Sequence, residues 1–302
     1  MIPLSRRRFL GLGLRAAALA PWLPLPLTRP ARAAPVPRPL AEVRGEDPAA
    51  LVRTAVGKLG GMAAFVRPGD RVVVKPNIGW DRTPEEAANT HPAVVAELAR
   101  LARRAGARSV RVFDRTCNDA RRSYERSGIR AAVEALGDDR VRLEYVRDDR
   151  FVVVAIAGAR KLTRWPLYRP ALTADVLINC PVVKHHGLTG VTLAMKNLMG
   201  VMGGNRGRIH WDIAESLVDL NLAVRSHLVV VDATRILTRN GPQGGGTEGV
   251  RVANRLAATT DVVAADAWGA RVFGVDPMEV GYIRRAHERG LGVADLGRVP
   301  VR

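Results

Sequence analysis

From residue 71 onward the chain alternates short β-branched runs with stretches whose apolar residues recur at helical spacing. This alternation narrows the fold more than any other feature. Strands that alternate with helices pair in parallel, because each helix returns the chain to the same end of the sheet and covers a face on the way. Residues 71–75 read as a buried strand closed by Pro76-Asn77. Residues 91–105 read as a helix with Pro92 in its first turn and a stripe of Val94, Val95, Leu98, Leu101, Ala102 and Ala105. Gly106 stops it, and residues 109–113 form a strand running into Asp114. A helix is expected over 120–136, then a hairpin of 141–146 and 151–156 about Asp148-Asp149.

The second half repeats the pattern. Strands are expected at 175–179 and 227–231, the latter ending at Asp232. Helices are expected at 191–199, at 212–226 with Asp212 as N-cap, and at 261–273 and 277–289. Residues 241–249 are a glycine-rich loop. The expected fold is therefore α/β, a mainly parallel sheet covered by helices on both faces, in one large domain over 49–302.

The start of the chain follows different rules. Ser5-Arg6-Arg7-Arg8-Phe9-Leu10 precedes an apolar stretch and then Ala31-Arg32-Ala33. A basic region, an apolar region and an A-x-A site in that order predict a twin-arginine signal peptide over 1–33. The expected partner is the twin-arginine export machinery and the expected location the periplasm. No stable membrane anchor is expected, because the uncharged run 16–28 contains Pro21, Pro24 and Pro26 and falls short of the roughly 20 residues a spanning helix needs. Residues 11–16 match G-x-G-x-x-A but follow no strand, so they carry no dinucleotide-binding meaning. Residues 34–48, rich in proline at their start, are expected to be a linker.

The formal charge is +18. A balance so basic raises the question of an anionic partner. Nucleic acid is not expected, because the arginines are spread along the chain with no aromatic-interleaved basic run to stack on bases. A small anionic molecule fits better. Of 47 cations, 42 are Arg and only Lys58, Lys75, Lys161, Lys184 and Lys196 are Lys. Where Arg serves for bare charge, a retained Lys points to chemistry that a guanidinium cannot do: a compact charge, or an amine that burial can deprotonate. Anion binding, acid–base work and Schiff-base chemistry all fit.

Ligands of open α/β sheets bind beyond the carboxyl ends of the strands. The residues there are Lys75 with Asn77, Asp114, the 179–186 segment with Lys184, and Asp232. Lys184 and Lys196 are expected to bind or activate the substrate, and His186 to transfer a proton. Lys75 and Asn77 would hold an anionic group, with Asn197, Asp114 and Asp232 as further binding or orienting groups. His185 and His186 are adjacent, so in extended backbone they face opposite sides. A metal-dependent enzyme centred on His186 and His210 is an alternative, although no local ligand spacing marks it. Cys117 and Cys180 are too few for an iron–sulfur cluster or a cysteine zinc site, and they are expected as two separate buried thiols.

Several of these segments resemble domain-of-unknown-function family 362. Val72-Val73-Val74-Lys75-Pro76-Asn77 is similar to its opening motif, as is Thr90-His91-Pro92 before a helix. The clearest likeness is Asn179-Cys180-Pro181-Val182-Val183-Lys184-His185-His186, followed by Thr192-Leu193-Ala194-Met195-Lys196-Asn197-Leu198-Met199-Gly200. The likeness spans nearly all of residues 70–275. Val182 stands where many members have Lys, and His185 where they have Thr; His186 aligns with the family's His. Some members carry a ferredoxin-like cysteine cluster that this chain lacks, so the resemblance implies no iron–sulfur cofactor, and the cofactor is left unassigned. The resemblance supports the fold and the site residues more than any reaction. The expected function is an exported protein that binds a small anion in a Lys/His/Asp cleft and acts on it as an enzyme; the alternative is a non-catalytic exported binding or cofactor-loading protein.

Overall fold

The computed structural model describes residues 38–302, so the leader at 1–33 lies outside the described residues. Leu40–Arg44 forms strand β1 and Pro48–Lys58 helix α1. Strand β2 (Arg71–Pro76), helix α2 (Pro92–Arg104) and strand β3 (Ser109–Val112) follow. Helices α3 (Ala120–Arg126) and α4 (Ile129–Glu134) lead to β4 (Val141–Leu143). Strands β5 (Phe151–Ala155) and β6 (Arg164–Tyr168) precede α5 (Arg169–Leu172). Next come β7 (Val176–Cys180), β8 (Val182–His186), β9 (Gly190–Thr192) and α6 (Ala194–Asn197). The chain closes with α7 (Ile213–Ala223), β10 (Leu228–Leu237), β11 (Val250–Thr259), α8 (Val262–Phe273) and α9 (Gly281–Glu288).

The main sheet runs β1-β11-β10-β7-β2-β3-β4. From β10 to β4 every neighbour is parallel, while β11 and β1 add antiparallel strands at one edge. The fold is thus α/β with a mostly parallel, mixed sheet in one domain. Strand β8 lies parallel to the later part of β10 and returns as β9, antiparallel.

Period-two alternation explains why both faces are covered. Val72 and Val74 of β2 enter a core with Val52 of α1 and Leu98 of α2, whereas Val73 enters the opposite core with Leu217 of α7 and Ala264 of α8. Strand β10 divides likewise, with Val230 on the first side and Val229 and Val231 on the second. Each fully buried Val or Leu contributes about 1.5–3 kcal/mol, so a chain poor in aromatics assembles two aliphatic cores instead of one.

Several local expectations are corrected. Residues 40–44 are not linker: they pair along β11. The hairpin of 141–146 with 151–156 does not form, since β4 joins β3 in parallel and β5 pairs with β6 in a separate two-stranded sheet. The helix expected over 120–136 breaks at Gly128, whose φ of 69° lies in the left-handed region that no right-handed helix continues through. Residues 191–199 split into β9, the one-turn helix α6 and a 3-10 turn at Leu198–Val201. Asp212 does not cap α7 with its side chain; its carboxylate pairs with Lys161 at 3.1 Å.

Candidate functional site

Strands β2 and β7 end in register, with Lys75 opposite Asn179 and Pro76 opposite Cys180, and Asp114 follows β3 by two residues. Their carboxyl ends therefore share one edge, and the expected polar groups meet there. Lys75 is fully buried. Its ammonium pairs with Asp114 at 2.7 Å and donates to the carbonyl of Pro76 at 2.6 Å and to Asn197 Oδ1 at 3.2 Å. Burial pulls the Lys75 pKa down and the neighbouring carboxylate opposes that shift. Gly200 sits against the pair with no room for a side chain: a Cβ there would overlap Asp114 Oδ1 and lie 2.6 Å from Lys75 Cε.

Asn197 is the hub of an amide chain. Its Oδ1 accepts from Asn77 Nδ2 at 3.0 Å as well as from Lys75, while its Nδ2 donates to Asn179 Oδ1 at 2.8 Å and to the Lys75 carbonyl at 3.1 Å. Asn77, with its nitrogen committed to Asn197, turns its oxygen to Lys184 Nζ at 2.9 Å. The helix carrying Asn197 and Lys196 is held in turn by the buried Asp266, which accepts from the amides of Ala194 at 2.6 Å and Met195 at 3.0 Å.

These groups border a cavity of about 300 Å³. Lys184, Lys196, Asn77, Asn197, Asp114 and His186 line it; Lys75 stands behind Asp114. Lys184 and Thr192 face each other across β8 and β9, which places both side chains on the cavity side, together with His186 two residues on. His185 points away and accepts from the Gly241 amide at 3.1 Å. The Lys196 ammonium is 7% exposed on the whole residue, and its hydrogen-bond partner is the Met199 sulfur at 3.4 Å, a weak acceptor. Thr192 Oγ1 is buried with no hydrogen-bond partner among the described residues. Burial lowers Lys184 to about 7 and Lys196 to about 8.

His186 and His210 stack with ring centroids 6.2 Å apart and planes 16° apart. His186 Nδ1 accepts from the amide of Leu188 at 3.1 Å, so Nε2 carries the ring hydrogen. Burial, reinforced by the nearby cations, holds His186 neutral with a pKa lowered to about 3. His210 Nδ1 lies 2.8 Å from the Gly207 carbonyl and must donate to it, which leaves Nε2 as an acceptor. One histidine thus offers a hydrogen-bond donor beside the other's acceptor nitrogen. A metal centred on the two does not suit this chemistry: a ligating ring donates through its other nitrogen, yet that nitrogen of His186 accepts. Among the described residues no three His, Cys, Asp or Glu side chains form a metal-binding group.

Asp232 is not part of the cavity. Strand β10 does not end there, and the buried carboxylate accepts from the His91 amide at 2.7 Å and from Thr234 at 2.9 and 2.7 Å. It fixes the start of α2 instead. Cys117 is also corrected: both cysteines are free, but only Cys180 is buried, and Cys117 is exposed where it lines the cavity. Its sulfur accepts from Arg206 at 3.2 Å. Arg115, which follows Asp114 after β3, lies where the strand-end pattern points, whereas Arg206 is a cavity residue that the pattern does not mark, because it comes from a long connection. Arg206 donates to the carbonyls of Arg115 and Thr116, both at 2.7 Å, clamping one connection to the other.

A second hollow, of about 250 Å³, lies at the β1 edge, but its carboxylate Glu42 is already held by Trp268 Nε1 at 2.9 Å and by Arg255. The strand-end cavity is the site with free chemistry. All of its lining residues lie within 72–271, the segment that matches the family described as Domain of unknown function (DUF362). The chain belongs to the DUF362 family. A thylakoid-associated protein of Synechocystis sp. is 30% identical to it over 251 residues, covering 80% of this chain and 75% of the relative. Among solved structures, the lactate racemase apoprotein from Thermoanaerobacterium thermosaccharolyticum overlaps with a TM-score of 0.49 at 11% identity. That overlap covers 80% of this chain and 57% of the racemase, so the DUF362 chain spans just over half of that protein's length. A Thermotoga maritima protein overlaps with a TM-score of 0.39 at 11% identity, over 67% of this chain and 54% of its own.

Proposed function

We propose that this protein binds a small anionic molecule in the strand-end cavity and acts on it as an enzyme, after export by the twin-arginine route. The observation that carries the binding proposal is Lys196, buried, lining the cavity and met among the described residues only by a thioether. Removing a cation from water is costly without a counter-charge, and an anion in the cavity supplies one. Lys184, Arg115 and Arg206 add to the positive lining, and among the described residues none of the four forms an ion pair. Asp114, the carboxylate in the lining, is already neutralised by Lys75. The His210 acceptor nitrogen supports a proton-transfer role for the stacked pair, with His186 Nε2 as a hydrogen-bond donor to the ligand. Lys184 and Lys196 would bind and activate the anion, with Asn77 and Asn197 fixing their positions.

Calorimetry with phosphate, sulfate, acetate and pyruvate tests the binding. At least one is expected to bind, and Lys196→Gln to weaken it about ten- to hundredfold, since a hydrogen bond to a charged group is worth about 1.5–3 kcal/mol. Lys161→Gln, at a surface pair, should change nothing. An anion favours the ammonium form and raises the pKa of Lys184 and Lys196 from their lowered values near 7 and 8. Binding near pH 8 should therefore take up protons, read from enthalpies in buffers of different ionisation heat, and affinity should fall as pH rises through 7 to 8. Absence of any uptake would place both lysines outside the binding step. An accessory protein that only holds its ligand could do so with either kind of cation, so full function in Lys184→Arg would favour that alternative.

Export rests on Arg6 and Arg7 and on the apolar stretch and Ala31-Arg32-Ala33 that follow. The twin-arginine route is read by a receptor. Replacing both arginines with lysine should leave the protein in the cytoplasm, as followed by fractionation. Unchanged export would mean that the leader uses another route.

A further inference from the structure

The lysines in and behind the cavity wall have two kinds of environment. Lys75 has a carboxylate beside it and is held as an ammonium. Lys184 has none: its Nζ donates to Asn77 Oδ1 at 2.9 Å and to the Ala88 carbonyl, and lies 5.9 Å from the centre of the Trp80 ring. A neutral amine has two hydrogens, and here two fixed carbonyl oxygens take them. The Asn77 oxygen cannot turn away, because its amide nitrogen is bound to Asn197. The fourth tetrahedral position of the nitrogen, which holds the lone pair, is then left for the cavity that Lys184 lines.

We infer that the ligand of this site is a small 2-oxo acid and that Lys184 adds to its carbonyl to form an imine. The inference rests on the anion-binding proposal and deepens it. Lys196 and the unpartnered Thr192 hydroxyl receive the carboxylate, and Lys184, opposite Thr192 in the β8–β9 ladder, meets the neighbouring carbonyl carbon. The nitrogen lone pair forms the C–N bond, and the proton that the nitrogen loses passes by way of His210 Nε2 to the carbonyl oxygen, giving a carbinolamine. That hydroxyl then leaves as water with one proton taken up from solvent while His186 Nε2 donates a hydrogen bond to it, and the products are a protonated imine and one water molecule, with no net oxidation or reduction. His210 Nε2 is the acceptor available to the proton that the amine loses. In the empty cavity a pKa near 7 leaves about half of Lys184 as free amine at neutral pH, and the fraction grows as pH rises.

The experiment is reductive trapping. The protein is incubated with pyruvate or glyoxylate and sodium cyanoborohydride, then measured by intact mass and peptide mapping, with pyruvate binding followed separately by calorimetry. One adduct is expected, on the peptide containing Lys184, with a yield that rises as pH passes through about 7. Lys184→Arg should abolish the adduct, and Lys161→Arg, at a surface pair, should keep both the adduct and pyruvate binding. If Lys184→Arg does not fold, the map of the native protein still decides the site. Binding of pyruvate without an adduct on Lys184, or adducts scattered over several lysines, overturns the imine and leaves anion binding standing. Binding of phosphate but of no oxo acid overturns the substrate class. Failure of every anion to bind removes the underlying proposal as well.

Discussion

Replacing Gly200 with alanine is expected to cost about 3 kcal/mol or more and to lower Tm by about 6–12 °C in a thermal melt. The reason is local and steric. The new Cβ would overlap Asp114 Oδ1 and stand 2.6 and 2.8 Å from Cε and Nζ of Lys75. Neither partner can yield cheaply. The Asp114 carboxylate is also fixed by the Ile78 amide at 2.7 Å, and Lys75 by Pro76 and Asn197. The Gly200 carbonyl additionally accepts from the Arg115 amide at 3.1 Å, so moving the backbone would disturb the cavity wall. A Tm unchanged within a degree or two would mean that the pair has slack the contacts do not suggest.

The second large effect is expected from Asp114→Asn, which removes the counter-charge of a fully buried lysine. Breaking a buried pair on one side costs about 3–5 kcal/mol, because the remaining charge has no compensation. The pH dependence gives the test its signature. Without the carboxylate, the Lys75 pKa, already lowered by burial, falls further below its unfolded value of about 10.4. Between those two values the unfolded chain binds more protons than the folded one, so the variant should gain stability as pH rises. Chemical denaturation at several pH values between 6 and 10 would show this as a midpoint that climbs relative to the native protein. Adding Lys75→Met should recover part of the loss. A midpoint that does not respond to pH would show that the ammonium finds another partner.

Much of this arrangement is legible in the residues themselves. Lys75, Asn77, Asp114 and the 179–186 segment are marked by their place after β-branched runs, and parallel pairing then brings them to one edge without further information. The scarcity of Lys singled out Lys184 and Lys196 for the same reason that burial tunes them. Asp232 misled because the polar residue looked like a strand end, whereas β10 continues to Leu237 and draws the carboxylate into backbone hydrogen bonds. Strand β11 went unread because much of it is polar and only its last third is deeply buried. Arg115, Arg206 and Cys117 meet through irregular connections whose path depends on contacts about 90 residues apart in sequence, and no periodicity reports that. Thr192 could have been found: once β8 and β9 pair, its register opposite Lys184 follows.

The antiparallel edge has a consequence for the order of assembly. Strand β1 precedes its partner β11 by most of the domain, and the Glu42–Arg255 contact spans 213 residues. The Leu40 amide also donates to the carbonyl of Pro300 at 2.9 Å, and Arg302 donates back to Leu40 at 2.9 Å. Closure of that edge cannot begin until β11 is available, and contacts so distant in sequence are slow to form. Until then β1 is a loose strand carrying Leu40, Ala41 and Val43, all buried in the finished sheet. Its docking is a late event that reports completion of the domain, and hydrogen exchange at Leu40 during refolding would time it.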